Sequence, residues 1–405
     1  MSVEFVYATR LAEYDFGGAH PLRPERFVLT AELADAWGLL AETGVSADGR
    51  GEDAASGTSA RHALVVAPGT CVEADLLRVH DAAYIAAVRA AGSDPAHWRG
   101  GFGIGPGDTP PFPRMHEAAA AVCGATLRAV DDVVAKRCDR AFSPAGGLHH
   151  AHRDRAAGFC VYNDLAVAIA KATAERPGLR VAYVDFDAHH GDGVQEAFYA
   201  RADVLTVSLH ESGRYLYPGT GRAIEMGAGA GTGFAVNVPL PPGAGDECYA
   251  LAFGRVVMPA VRAFAPDVLV AQLGADSHVS DPLAHLQTTV AGQHATARRV
   301  VALAEEVCGG RVVATGGGGY DTFSAVPRAW ACALAALLGV APPAAIPESW
   351  RALAAEAAGP GAAAPPEATF SEAVLPDAAA WGADPRAETE RVIEPLVAVH
   401  PLLRE

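Results

Sequence analysis

Apolar positions along this chain fall into two rhythms. V-A-Y-V at 181–184, D-V-L-T-V-S-L-H at 203–210, D-V-L-V-A-Q-L-G at 267–274 and R-V-V-A-T at 311–315 are short, nearly continuous apolar runs rich in β-branched residues. Such runs predict buried strands. Between them, Met115, Ala119, Val122, Thr126, Ala129 and Val133 recur at three- and four-residue spacing, and 249–264 and 288–307 do the same. That spacing predicts helices with one buried face. Continuous apolar strands separated by helices imply a parallel sheet covered on both faces. In such sheets ligands bind beyond the carboxyl ends of the strands. The polar stretch 185–193 follows one run, Asp276 the next, and Gly316 to Tyr320 the last.

Three stretches stand outside this rhythm. Residues 46–62 have a loop composition and predict a mobile excursion. Residues 92–113, rich in Gly, Pro and aromatics, predict an ordered rim loop. Residues 341–385 are dense in Ala and Pro and predict irregular packing on the outside, with a weak helix around 348–358. The 405 residues are read as a single domain, with a catalytic core over about 5–340 and an Ala/Pro-rich extension over about 341–405.

Composition narrows the function classes. Half the residues are hydrophobic and 19% are charged, so a large core is available. A formal charge of −16 argues against sequence-independent nucleic-acid binding, which requires clustered Lys and Arg. The seven cysteines, at 71, 123, 138, 160, 248, 308 and 332, form no C-x-x-C pair, which predicts a reduced, cytoplasmic protein with packed thiols. The N-terminus is too short and acidic for a signal peptide. The most apolar run, Trp330 to Val340, is about half of what a bilayer requires. Neither a membrane nor nucleic acid is expected as a partner, and nothing in the sequence sets an oligomeric state.

The chemistry concentrates in G-G-L-H-H-A at 146–151 and D-F-D-A-H-H-G-D-G at 185–193. Asp185, Asp187 and His189 share one parity, so an extended backbone turns all three side chains to one face. Burying acids and histidines there without a cation or hydrogen-bond partners would be expensive. A lone D-x-H is better read as a solvated strand end, but two His-His pairs and a downstream acid favour a metal site. Asp276, in L-G-A-D-S-H, supplies the third ligand. Two aspartates and one histidine leave a position open, the pattern of a catalytic site. The set suits Zn²⁺ and also accepts Fe²⁺. His278 and His285 are read as surface or satisfied histidines without a role. His149 and His150, with no acidic neighbour in sequence, are better placed as acid–base groups, for which Asp185 and Asp192 are available as partners. Asp192 alone would be an Asp-Gly turn residue. The glycines 316–319 before Tyr320 permit close backbone approach, either as a plain turn or to bring a tyrosine hydroxyl to a developing oxyanion.

These residues, with A-H-P-L-R-P-E-R, G-F-C-V-Y-N-D, S-L-H-E-S-G-R-Y-L-Y-P-G-T-G and G-G-G-G-Y in order, resemble the metal-dependent histone deacetylase family, and within it the bacterial acetoin utilization branch. The resemblance runs from about residue 5 to about 340. It implies an arginase-like three-layer α/β/α fold with a central parallel sheet. It implies that His149 and His150 are the catalytic pair, partnered by Asp185 and Asp192, that Asp187, His189 and Asp276 hold zinc, and that Tyr320 is the oxyanion donor. Phe159 and Tyr217 would flank the acyl-lysine stem, the family more often having Phe at the second position. Gly158 and Leu283 would complete the tunnel, Asp108 would grip the substrate backbone at the rim, and Arg26 would line an internal acetate channel. A structural K⁺ site would use Asp185, Asp187, His189, Ser208 and Leu209, and a second the backbone oxygens near Phe198, Val204 and Phe234.

The resemblance implies zinc-dependent hydrolysis of Nε-acetyl-lysine in proteins, with acetyl-CoA synthetase as the partner the branch suggests. His150 would take the proton from the attacking water; which histidine returns a proton to the amine stays open. The same machinery would serve an acetylpolyamine or other small N-acyl amide. A silent acetyl-lysine reader would be expected to lack Tyr320, a ligand or the histidine pair, and all are present. A two-metal ureohydrolase would need a second ligand set.

Overall fold

A computed structural model describes residues 1–18, 20–41, 62–359, 368–372 and 384–404. Eight strands, all parallel, form its sheet: β1 (Val3–Val6), β2 (Leu64–Val66), β3 (Arg140–Ser143), β4 (Val181–Asp185), β5 (Val204–Glu211), β6 (Ala235–Leu240), β7 (Val268–Gln272) and β8 (Val312–Thr315). Their spatial order is β2-β1-β3-β8-β7-β4-β5-β6. Helices cover both faces, giving the arginase/deacetylase-like α/β/α architecture. Of these strands the apolar runs predict β4, β5, β7 and β8. The other four are shorter or outlying: β6 carries Pro239, tolerated because an edge strand can spare a ladder donor.

The predicted helices form at Met115–Val134, within Asp246–Phe264 and at Val290–Cys308. The second holds one π-helical stretch, Phe253–Val257. Thr289 caps the third by accepting the Gly292 N–H, one of the donors a helix start leaves unpaired. The weak helix forms at Glu348–Ala358 and is less peripheral than its composition suggests: Trp350 is buried and donates to Leu29 O. The expected excursion 46–62 lies outside the described residues except for His62.

One rung of the sheet differs from those before it. Ser143, Thr315, Gln272, Asp185, Ser208 and Asn237 pair side by side across β3, β8, β7, β4, β5 and β6. In-register neighbours point to the same face, so a buried polar row crosses the sheet, at the last residue of β3, β8, β7 and β4 and midway along β5 and β6. The rung below it, Phe142, Ala314, Ala271, Val184, Val207 and Val236, is wholly apolar. Every segment expected to carry chemistry begins just past the polar row.

Candidate active site

Four adjacent strands, β3, β8, β7 and β4, deliver the site. The turn after β3 presents His149 and His150, and it is held by Asp164, whose carboxylate accepts the N–H groups of Gly147 and Leu148 and the Thr126 hydroxyl. Gly147 sits at φ 100°, where a side chain would be strained, and its missing Cβ lets the backbone of Gly316 approach. His149 Nδ1 donates to Asp185 Oδ2 at 2.7 Å, and His150 Nδ1 donates to Asp192 Oδ1 at 2.7 Å. The two pairings that the resemblance implies are thus present as hydrogen bonds, and each aspartate fixes the tautomer of its histidine.

Asp187 and His189 extend from β4, and Asp276 arrives from the loop after β7. One ligand atom from each lies within 4.8 Å of the others. His189 Nδ1 stands 2.9 Å from Asp276 Oδ2 and 3.2 Å from Asp187 Oδ1. The two carboxylates are 1% and 0% exposed, so their mutual repulsion is unscreened. Burial and then the neighbouring Asp187 charge push the Asp276 carboxyl well up, as expected where two acids share one dry spot. A divalent cation at that point relieves both costs, and the oxygen- and nitrogen-donor set fits one. Only glycine fits beside the two acids at position 318, where a Cβ would lie 2.0 Å from Asp276 Oδ2 and 2.9 Å from Asp187 Oδ2.

Several groups that the motifs did not single out brace Asp187 and the loops around it. Gln272 Nε2 donates to Asp187 Oδ2 at 2.6 Å while its Oε1 accepts the Gly274 N–H, and the Gly318 N–H donates to the same Asp187 oxygen. Its signal was a lone amide in an otherwise apolar strand. Asp281 accepts the backbone N–H groups of Tyr320 and Leu283, tying the loop after β7 to the one after β8. His278 proves buried, donating from Nε2 to Glu372 at 2.8 Å; Glu372 also pairs with Arg328 and accepts the Val290 N–H. Glu372 thus ties the stretch 368–372, otherwise exposed or half-buried, to the loop that carries Asp276. His285 lies against Glu211 at 2.8 Å.

Tyr320 is kept protonated, by burial first and then by the charges of Asp276 and Asp187. Its ring meets Phe159 edge-on at 5.7 Å, while Tyr217 stands edge-on to His150 at 5.1 Å. Phe159 and Tyr217 thus stand beside Tyr320 and His150 respectively. Tyr217 and Leu283 remain exposed, at 45% and 36%. Asp108 is exposed and accepts the Gly158 N–H at 2.8 Å, which places it at the rim beside Phe159. Arg26 is buried and donates to the carbonyls of Gly317 and Gly319, both at 2.9 Å, with its guanidinium over Trp330. It props the glycine loop that carries Tyr320. Ser208 pairs with Asp185 across β4 and β5, next to Leu209, so the residues expected at the first K⁺ site adjoin one another. At the second, the carbonyls of Phe198 and Phe234 already accept N–H groups from Arg201 and Thr206, beside the start of β5 at Val204.

Past the ends of parallel strands, then, a buried Asp-His-Asp set that could hold a metal ion stands beside two histidine–aspartate pairs. Residues 20–337 match the histone deacetylase domain, and the chain belongs to the histone deacetylase family. It is 40% identical over 348 residues to the acetoin utilization protein AcuC of Bacillus subtilis (strain 168), covering 85% of this chain and 84% of that protein. It is 35% identical over 349 residues to AcuC of Staphylococcus xylosus, covering 85% of each. With AcuC of Staphylococcus aureus (strain MSSA476) the identity is 34% over 331 residues, 80% of this chain and 79% of that one.

Proposed function

We propose that this protein hydrolyses the Nε-acetyl amide of lysine in proteins with the aid of Zn²⁺ held by Asp187, His189 and Asp276, Fe²⁺ being the alternative ion. The observation that carries this reading is the convergence of that buried ligand set with His149–Asp185, His150–Asp192 and Tyr320 at one end of the sheet. The bound ion would polarise the acyl carbonyl and acidify a water molecule. His150, neutral and oriented by Asp192, takes the proton of the attacking water. Tyr320 donates its hydroxyl hydrogen to the oxygen that gains charge. His149 or His150, once protonated, supplies the proton that the departing lysine amine needs. Phe159 and Tyr217 guide the apolar stem, with Gly158 and Leu283 completing the passage and Asp108 at its rim.

We further propose that the whole chain is one domain, that K⁺ occupies the two expected positions as a structural ion, and that the protein is cytoplasmic. Seven free cysteines, and no helix among the described residues long and apolar enough to cross a membrane, support that location. Acetyl-CoA synthetase is the acetylated partner to try first, in keeping with the acetoin utilization names of the relatives. The test is a side-by-side assay of the zinc-loaded protein on an acetyl-lysine peptide and an acetylpolyamine. Preference for the peptide supports the reading, and preference for the polyamine replaces it with small-amide hydrolysis.

A further inference from the structure

The two histidine–aspartate pairs differ in what stands behind the aspartate. Asp185 is backed by uncharged donors: the Tyr183 hydroxyl bonds its Oδ2 and the Asp187 N–H its Oδ1. Asp192 is backed by a third histidine. His152 Nε2 lies 3.3 Å from Asp192 Oδ2, while His152 Nδ1 donates to Glu196 Oε2. The His152 side chain is 8% exposed and that of Glu196 52%, so the row His150–Asp192–His152–Glu196 runs from the buried site to the surface. It opens into a groove of about 490 Å³ that is also lined by Tyr217, Thr220 and Glu225.

A ring with a carboxylate at each nitrogen can donate to both only as the imidazolium. Burial opposes that charge, but the bonds and charges of Asp192 and Glu196 outweigh it and shift His152 upward. The geometry has a direct consequence for His150. The only other bond to the Asp192 carboxylate among the described residues is from the Gly193 N–H, on the same oxygen that receives His150. The second oxygen faces His152 in a 3.3 Å ion pair, which resists rotation of the carboxylate.

We propose, resting on the deacetylase reading above, that His152 is a positioning residue: clamped between Asp192 and Glu196, it fixes the Asp192 carboxylate and through it the orientation and tautomer of His150. Nothing in the motifs marks it, since it follows the His-His pair by two residues and reads as a surface position.

The test uses the full-length, metal-loaded enzyme. His152→Ala is expected to lower kcat on acetyl-lysine peptide by about 10-fold or more, the order found for partners that hold functional groups in place. KM and metal content should stay unchanged. His152→Gln, which restores an N–H toward Asp192, is expected to recover most of the loss, which a purely structural defect would not show. The Nδ1 proton of His150, followed by NMR without substrate, should move in the alanine variant and return in the glutamine variant. A kcat within about two-fold of the parent, with that proton unmoved, overturns the proposal. Should the alanine variant not fold, Glu196→Gln at its half-exposed position is expected to shift the same proton, and no shift there overturns it equally. A parent that cleaves no acetyl-lysine peptide refutes the deacetylase reading instead, while the proton still decides the role of His152.

Discussion

His149 and His150 meet Nε2 to Nε2 at 3.1 Å, each with Nδ1 turned to its own aspartate. Two lone pairs cannot bond, so one of these nitrogens carries a proton and the other receives it. Burial opposes charge at both rings. At His149 the charges of Asp185 and Asp187 overcome it and raise the imidazole to about 9. At His150 burial and the adjacent His149 push it down to about 4. These surroundings favour the charged ring at His149 and the neutral ring at His150. His150→Ala is expected to cost at least the ~10²–10⁴-fold typical of lost acid–base catalysis, and His149→Ala less. Equal small losses in kcat for both variants would assign proton transfer to another group.

Replacing Asp187, His189 or Asp276 by Ala is expected to remove bound metal and activity together while the far-ultraviolet circular dichroism stays that of the parent. Hydroxamates, which chelate a divalent ion through two oxygens, should inhibit, and a tight chelator should abolish turnover. A ligand variant that retains stoichiometric metal by elemental analysis and a near-normal rate would exclude that residue from the set.

Phe159 packs on Tyr320, whereas Tyr217 is exposed over nearly half its surface. Phe159→Ala should therefore depress kcat/KM on acetyl-lysine peptide strongly. Tyr217→Phe should change it only a few-fold, since removing a solvated hydroxyl costs little over ~1 kcal/mol. The reverse ranking would show the Tyr217 hydroxyl touching the substrate or His150.

Glu372 neutralises Arg328, which is 2% exposed, and holds His278 two residues from Asp276. Glu372→Ala leaves a buried cation without its partner and is expected to destabilise the fold by about 3–5 kcal/mol. Chemical denaturation measures this, and a loss below about 1 kcal/mol would mean the pair behaves as an exposed one.

Glu4, in β1, is raised to about 7 by burial and then by neighbouring Asp132. A carboxyl whose folded-state pKa exceeds its unfolded value contributes stability that is complete below the unfolded pKa and is lost as pH rises through the folded one. That contribution should fade between about pH 4.5 and about pH 7. Glu4→Gln, which cannot titrate, should flatten the change in urea midpoint over that window. An unaltered slope would place the proton elsewhere.

The sequence displayed the chemistry more plainly than the frame around it. Asp187, His189 and Asp276 were readable because adjacent acids and histidines at strand ends have few other uses. The dyad partners followed because two spare aspartates flank the ligands. Strands β4, β5, β7 and β8 announced themselves through uninterrupted apolar runs, whereas R-A-F-S of β3 holds too few apolar residues to stand out. Asp164, His152 and Glu372 were silent for a different reason. Each acts on a group far away in the chain or through another side chain, and a local pattern carries no trace of a partner brought by folding. Glu372 reaches His278 from 94 residues away.

The polar rung across the sheet makes register and reactivity a single property. A strand that slips by one residue turns its whole side-chain set to the opposite face. For β4 or β7 that would swing Asp185 or Gln272 out of the row and set an apolar residue in its place. Such a slip would strand a buried polar group and dismantle a histidine partner or a ligand support in one event. Misaligned sheets are thereby both unstable and inert, so selection for turnover is also selection against misfolding, and substitutions along that rung should be the least freely exchanged in the sheet.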